Sequence, residues 1–238
     1  MEALEIITLF SAAIVIGVFA VLFGGTLFLS FPLFQLFFPT LPLASIVGCI
    51  KFGSVIRNAA AVLPHWRSVE TQHLWLIAPL GFGSLVGAYA ITGFTQAVIP
   101  AVLITGWLLS EYAGNIKISQ RLFWITAFII GVYGGIFGAG ILLLIIALMQ
   151  LKAPGIVNAR FTALTLEMAI SAISVAIFIW QGFIVWHIAL IWAAGGIVGG
   201  LIGGRIIVRT GKLNPKWQQW LIRAAFLFAL VIAVGAML

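Results

Sequence analysis

Charge is what this 238-residue chain has least of. Twelve Lys and Arg and five acidic residues make up 7% of it, against about 25% in a soluble domain. That stock cannot cover a globular surface, and hydrophobic residues account for 63%. The composition therefore reads as an integral membrane protein. Aspartate is missing altogether, and two of the five glutamates, Glu2 and Glu5, stand at the extreme N-terminus. No acid–base pair can be assembled from what is left, so the chain is not expected to be an enzyme. There is one cysteine, Cys49, and no ligand cluster at zinc spacing, so neither a disulfide nor a metal or other cofactor is expected. No glycine turn is followed by GK[ST], which excludes an ATPase site in this chain. The net charge of +7 comes from scattered residues. Nucleic-acid binding would need them gathered into a stripe on a soluble fold, and is excluded as a function. The N-terminus lacks a basic n-region, so the first apolar stretch is expected to stay in the mature protein.

What is present is a series of apolar segments punctuated by Pro, Gly and charge. Ten are placed near 6–23, 25–38, 42–63, 72–92, 95–113, 121–137, 140–151, 156–179, 187–208 and 217–237. A bilayer core needs about 20 apolar residues per helix. Long unbroken runs without period-2 alternation exclude an outer-membrane barrel. The second and seventh segments are short, and each follows a glycine cluster, Phe23-Gly24-Gly25 and Phe137-Gly138-Ala139-Gly140. Ten crossings are preferred over six crossings with two re-entrant hairpins, which would give the same sidedness.

The chain also repeats itself. At an offset of 114, Ile16-Gly17-Val18-Phe19 meets Ile130-Gly131-Val132-Tyr133, Phe23-Gly24 meets Phe137-Gly138, Trp66 meets Trp180 and His73 meets His187. At 116, Gly83, Ser84, Gly87 and Ala88 meet Gly199, Gly200, Gly203 and Gly204. One offset held over that length reads as a duplication, with repeats at 1–117 and 118–238 in one membrane domain. The expected fold is an all-α polytopic membrane protein of two repeats, about five hydrophobic helices each, with short or broken second helices. An odd number of segments per repeat predicts opposite insertion of the two halves. Charge agrees. Arg67, Lys117, Arg121, Lys152, Arg209, Lys212 and Lys216 fall in odd-numbered loops, and the even loops hold no Lys or Arg. The positive-inside rule then places both termini outside. Trp66, Trp180, Trp186 and Trp217 read as interfacial belts.

Polar residues inside apolar segments are the candidates for function. Lys51, Arg57 and Asn58 lie in the third segment, and Asn158, Arg160, Thr162 and Glu167 in its repeat counterpart, the eighth. If these helices meet at mid-membrane, Arg57 and Arg160 offer guanidinium forks to an oxyanion. Glu167 could then neutralise Lys51 or Arg160, or carry a coupling proton. The plainer alternative is that Arg57, seven residues before Pro64, and Arg160 snorkel to the cytoplasmic interface. Gly24, Gly25, Gly138 and Gly140 would open helices whose free N–H groups face an anion, or would serve close packing. The runs Gly195–Gly204 and Gly81–Ala88 are assigned to packing, and His73 and His187 to helix ends.

The stretches IGVFAVLFGGTLFLSFP (Ile16–Pro32) and IGVYGGIFGAGILLLIIAL (Ile130–Leu148) resemble the two glycine-rich motifs of the TauE/SafE family of membrane permeases. Pro42-Leu43-Ala44-Ser45 and Asn158-Ala159-Arg160-Phe161-Thr162 stand where the family begins the helix after each motif. Ala20, Val21 and Thr26 depart from a motif that is often richer in glycine, which leaves the exact substrate open. The resemblance covers essentially the whole chain. It implies a secondary transporter of the bacterial inner membrane, an exporter of sulfite or organosulfonates. The partners it implies are a small anion and the lipid bilayer, and a homo-oligomer is compatible with it. A permease for another small anion and a non-transporting accessory protein are the alternatives. The accessory reading predicts that Lys51, Arg57 and Arg160 all snorkel and that the bundle centre is packed with Gly, Ala and Leu.

Overall fold

The computed structural model describes residues 3–24, 26–91, 119–138, 140–150 and 159–210. The fifth and tenth expected segments, Gly25, Asn158 and the Lys117, Lys152, Lys212 and Lys216 loops lie outside the described residues. Helices account for nearly everything else: α1 (Ala3–Phe23), α2 (Thr26–Phe37), α3 (Leu43–Val62), α4 (Ile77–Ala90), α5 (Gln120–Ile136), α6 (Ile141–Gln150), α7 (Ala159–Trp180) and α8 (Trp186–Thr210). Two 3-10 turns, Leu63–Ser68 and Thr71–Leu76, join α3 to α4. No strand occurs among the described residues. A chain in lipid must satisfy its backbone polar groups within each segment, and a continuous apolar run does so as a helix.

Five helical stretches are long and apolar enough to cross a membrane: Ala3–Leu22, Leu43–Ser68, Thr71–Ala90, Arg160–Trp180 and Trp186–Arg209. The protein is a multi-pass membrane protein. The two short segments are helical too, with 12 residues in α2 and 10 in α6. Each begins after a backbone break. Gly24, Gly138 and Gly140 have φ of 77°, 75° and 72°, in the left-handed region where a side chain costs about 1–2 kcal/mol. Gly138→Ala is accordingly expected to lower stability by about 1–2 kcal/mol, which thermal unfolding in detergent would read. An unchanged midpoint would mean that the break relaxes without glycine.

Contacts along each helix pair give the packing and its sense. Gly195 lies against Phe10 and Ala13, Gly199 against Ile14 and Gly17, and Gly203 against Val18 and Val21, so α1 and α8 run the same way. Trp192 meets Gly53, Gly196 meets Arg57 and Gly204 meets Ala61, which makes α3 parallel to both. Gly83 lies on Phe128 and Val132, and Gly87 on Val132 and Ile136, so α4 and α5 run together. In α7, Ile173 lies beside Gly81 and Trp180 beside Tyr89, so α7 shares their direction. Between α3 and α7 the order reverses: Gly48 meets Phe178, Lys51 meets Ser174 and Arg57 meets Glu167. Thus α1, α3 and α8 point one way, and α4, α5 and α7 the other.

The apolar interior has two parts. One gathers Leu9, Phe34, Ile46, Ile50, Phe178 and Trp192 around α1, α2, α3 and α8. The other gathers Leu80, Phe123, Leu142, Ile145 and Leu164 around α4 to α7. Trp66 at one end of the bundle and Trp180 and Trp186 at the other are exposed, as amphipathic rings at the two membrane surfaces would be. Trp217 lies outside the described residues.

Candidate anion site

The antiparallel contact of α3 with α7 brings the buried charges together near the middle of both helices. Lys51 is 3% exposed, Arg57 2%, Asn58 0% and Glu167 7%. Arg57 Nη2 lies 3.5 Å from Glu167 Oε1. Its Nε and Nη2 donate to Asn58 Oδ1 at 3.0 and 2.8 Å. The adjacent asparagine thus holds the guanidinium on one side while the carboxylate approaches from across the interface. Asn58 Nδ2 closes no hydrogen bond of good geometry.

Arg57 does not snorkel. Its stem is flanked by Gly17 of α1 and Gly196 of α8, which leave room for an arginine where larger residues would crowd it, while Gly200 lies against the Arg57 backbone. The glycine run 195–204 does pack helices, and it also houses this side chain. Glu167 meets Arg57, where Lys51 and Arg160 were the expected partners.

Six residues earlier on α3, the Lys51 ammonium donates to the Gly134 carbonyl in the last turn of α5. It also donates to Ser174 Oγ at 3.4 Å. Ser174 Oγ is 2.7 Å from Ser84 Oγ, and both hydroxyls reach the Ile170 carbonyl, at 3.3 and 2.9 Å. The second glycine break explains this geometry. The Gly138 N–H bonds back to Tyr133 O instead of Gly134 O, and a cation completes the helix C-terminus, where the macrodipole favours positive charge. Ser84 and Ser174 were missed in the sequence. The one signal was that Ser84 takes the place of Gly200 in an otherwise small-residue run.

The other expected site residues are placed differently. A side chain at Gly138 would stand 3.5 Å from Lys51 Nζ, so the second break borders the site. Gly24 faces the apolar side chains of Leu142 and Leu143. At the second opening, Ile141 and Leu143 donate to Gly138 O and Gly140 O at 3.2 and 3.0 Å, which spends N–H groups expected to face an anion. Thr162 Oγ1 accepts from the Glu70 N–H at 2.9 Å and ties α7 to the α3–α4 connection. Arg160 is two turns before Glu167, half-buried, with a terminal nitrogen that has no partner. His73 lies 3.5 Å from Glu70 in that same connection, a helix-end contact. Among the described residues no group of three or more His, Cys, Asp or Glu could hold a metal ion.

The α3–α7 contact is thus a buried centre with more cations than anions among the described residues of a multi-pass protein. The profile of the family described as sulfite exporter TauE/SafE matches residues 9–238. The chain belongs to the TauE/SafE family. No curated protein and no solved structure gives a match. Membership in a family of membrane transporters accords with a multi-pass chain whose helices carry buried Lys and Arg.

Proposed function

We propose that this TauE/SafE protein is a secondary transporter that exports small sulfur-containing anions, sulfite or organosulfonates, across a bacterial inner membrane. The observation that carries the reading is the charge at the α3–α7 contact. Two cations, Lys51 and Arg57, share one carboxylate, Glu167, and all three are nearly out of solvent. Buried charge is costly unless neutralised, and the cation in excess makes the centre attractive to an anion. The accessory-protein reading needs Lys51 and Arg57 at the interface, and their burial speaks against it.

The packing supports the two-repeat architecture. The offsets pair α1 with α5, α3 with α7 and α4 with α8. In each pair the helices run in opposite directions, as two halves inserted with opposite topology would. The α1–α8 crossing also corresponds to the α5–α4 crossing, with Gly17 on Gly199 matching Gly131 on Gly83. Arg67, Arg121, Arg160 and Arg209 lie toward one end of the bundle, and that end is assigned to the cytoplasm, with both termini outside.

The test is anion flux in proteoliposomes, comparing sulfite, sulfoacetate, taurine and sulfate with and without a pH gradient. Saturable flux of sulfite or a sulfonate is expected. Arg160→Ala is expected to keep flux with a higher half-saturating concentration, because Arg160 stands about 10 Å along α7 from Glu167. Saturable flux of a carboxylate or other anion alone would move the substrate class. No flux from folded, inserted protein would favour the accessory reading.

A further inference from the structure

Arg57 already holds an anion of the protein's own. With the Asn58 side chain beside its carboxylate, Glu167 approaches the terminal nitrogen that also serves Asn58 to 3.5 Å. That is beyond the distance of a good charge-assisted hydrogen bond, so the pair is readily separated. A substrate oxyanion would take charge-assisted hydrogen bonds from this guanidinium, and the ionised carboxylate already stands at its Nη2, with Asn58 on the Nε–Nη2 edge. Two anions side by side in a dry site repel strongly, and a proton on one of them relieves the repulsion.

We propose that Glu167 is the resident counter-anion of Arg57, that it yields this place to the transported anion only on taking up a proton, and that one proton therefore moves with each anion. The inference rests on the transport reading above and assigns its coupling: a monoanion leaving with one proton is electroneutral, so export runs on the anion's own outward gradient and not on the membrane potential. The proton comes from water on the side where the anion binds and returns to water when the anion leaves and the Arg57–Glu167 pair re-forms.

The groups around Glu167 leave it as the exchangeable partner. From α3 come Arg57 and Lys51, the two cations that act on it. Lys51 is turned to neutral acceptors, the Gly134 carbonyl and Ser174. From α4 comes Ser84, bound to Ser174 and the Ile170 carbonyl. From α5 comes Tyr133, and α6 carries no titratable side chain. The α3–α4 connection holds Arg67, which lies over the Trp66 ring, His73 paired with Glu70, and His65 stacked on Phe161. The last of these contacts α7 near its start. On α7 itself Arg160 is two turns away.

The deciding experiment uses purified protein in weakly buffered detergent solution, titrated with methanesulfonate, whose own charge is constant near neutral pH. The wild type is expected to take up about one proton per anion bound and to lose about tenfold in affinity per pH unit once Glu167 is ionised. Glu167→Gln is expected to bind at least as tightly, with no proton uptake and no pH dependence. In liposomes it should exchange anion across the membrane yet fail to accumulate it on a pH gradient. Proton uptake that persists in E167Q overturns the assignment. So does anion binding by the wild type with no proton uptake, a result that needs no variant to fold. Transport without coupling would leave the proposed function standing, whereas a wild type that neither binds nor moves any anion removes both.

Discussion

Replacing Arg57 by alanine is expected to abolish anion flux and to destabilise the bundle at the same time. The loss of the cation leaves Glu167 buried without its partner, which in comparable sites costs about 3–5 kcal/mol. It also removes the fork that would bind the substrate, a loss of about 2–5 kcal/mol, or about 30- to 4,000-fold in affinity. The two effects separate in the double variant Arg57→Met, Glu167→Leu. Replacing a whole buried ion pair by apolar residues is commonly neutral or stabilising. That variant should therefore unfold at or above the wild-type Tm in detergent while transporting nothing. Transport by the double variant would remove Arg57 from the substrate site.

The second large effect is at a helix crossing. A Cβ on Gly131 would run into the Leu80 carbonyl oxygen, and one on Gly83 into the Phe128 carbonyl oxygen. The obstacle at both positions is backbone, which cannot swing aside as a side chain can. Overpacking of this kind typically costs about 1–3 kcal/mol, and occasionally more. Gly83, Gly87, Gly131 and Gly135 each meet partner backbone at the α4–α5 crossing, so Gly131→Val should force the two helices apart. Loss of monodisperse protein on gel filtration, with Tm lowered by several degrees in whatever remains, is the expected reading. Gly182→Ala is the control. Its φ is +76°, but an added methyl there meets nothing within 4 Å, so only backbone strain should appear. A G131V protein as stable as G182A would show that the crossing has slack.

Much of this was legible in the chain itself. Apolar runs set the helices, and the described ones match the expected segments closely. In the α3–α4 connection two 3-10 turns occupy 63–76, where continuous helix up to 63 and again from 72 was expected. The reason is local: Pro64 cannot continue an α-helix hydrogen-bond ladder, and His65 falls out of helical φ/ψ. The breaks at Gly24 and Gly138 were also legible, because clustered glycine is what a left-handed turn between two apolar runs requires.

Partner choice was not legible. Lys51 and Arg57 are six residues apart on one helix; the place of Arg57 seven residues before Pro64 favoured snorkelling, which its burial overturns, and for Lys51 the sequence favoured neither. Burial was decided by Gly17 and Gly196, which come from two other helices and clear a volume for the Arg57 stem. The pairing of Arg57 with Glu167, and of Lys51 with Gly134 and Ser174, follows from the antiparallel register of α3 on α7. The sequence by itself determined the membrane environment, the positions of the described helices and which polar residues would be costly to bury, because each follows from composition, period and spacing along one chain. Only the tertiary structure decided which of those residues share a site, since a distance across two helices depends on register and on the shape of a third.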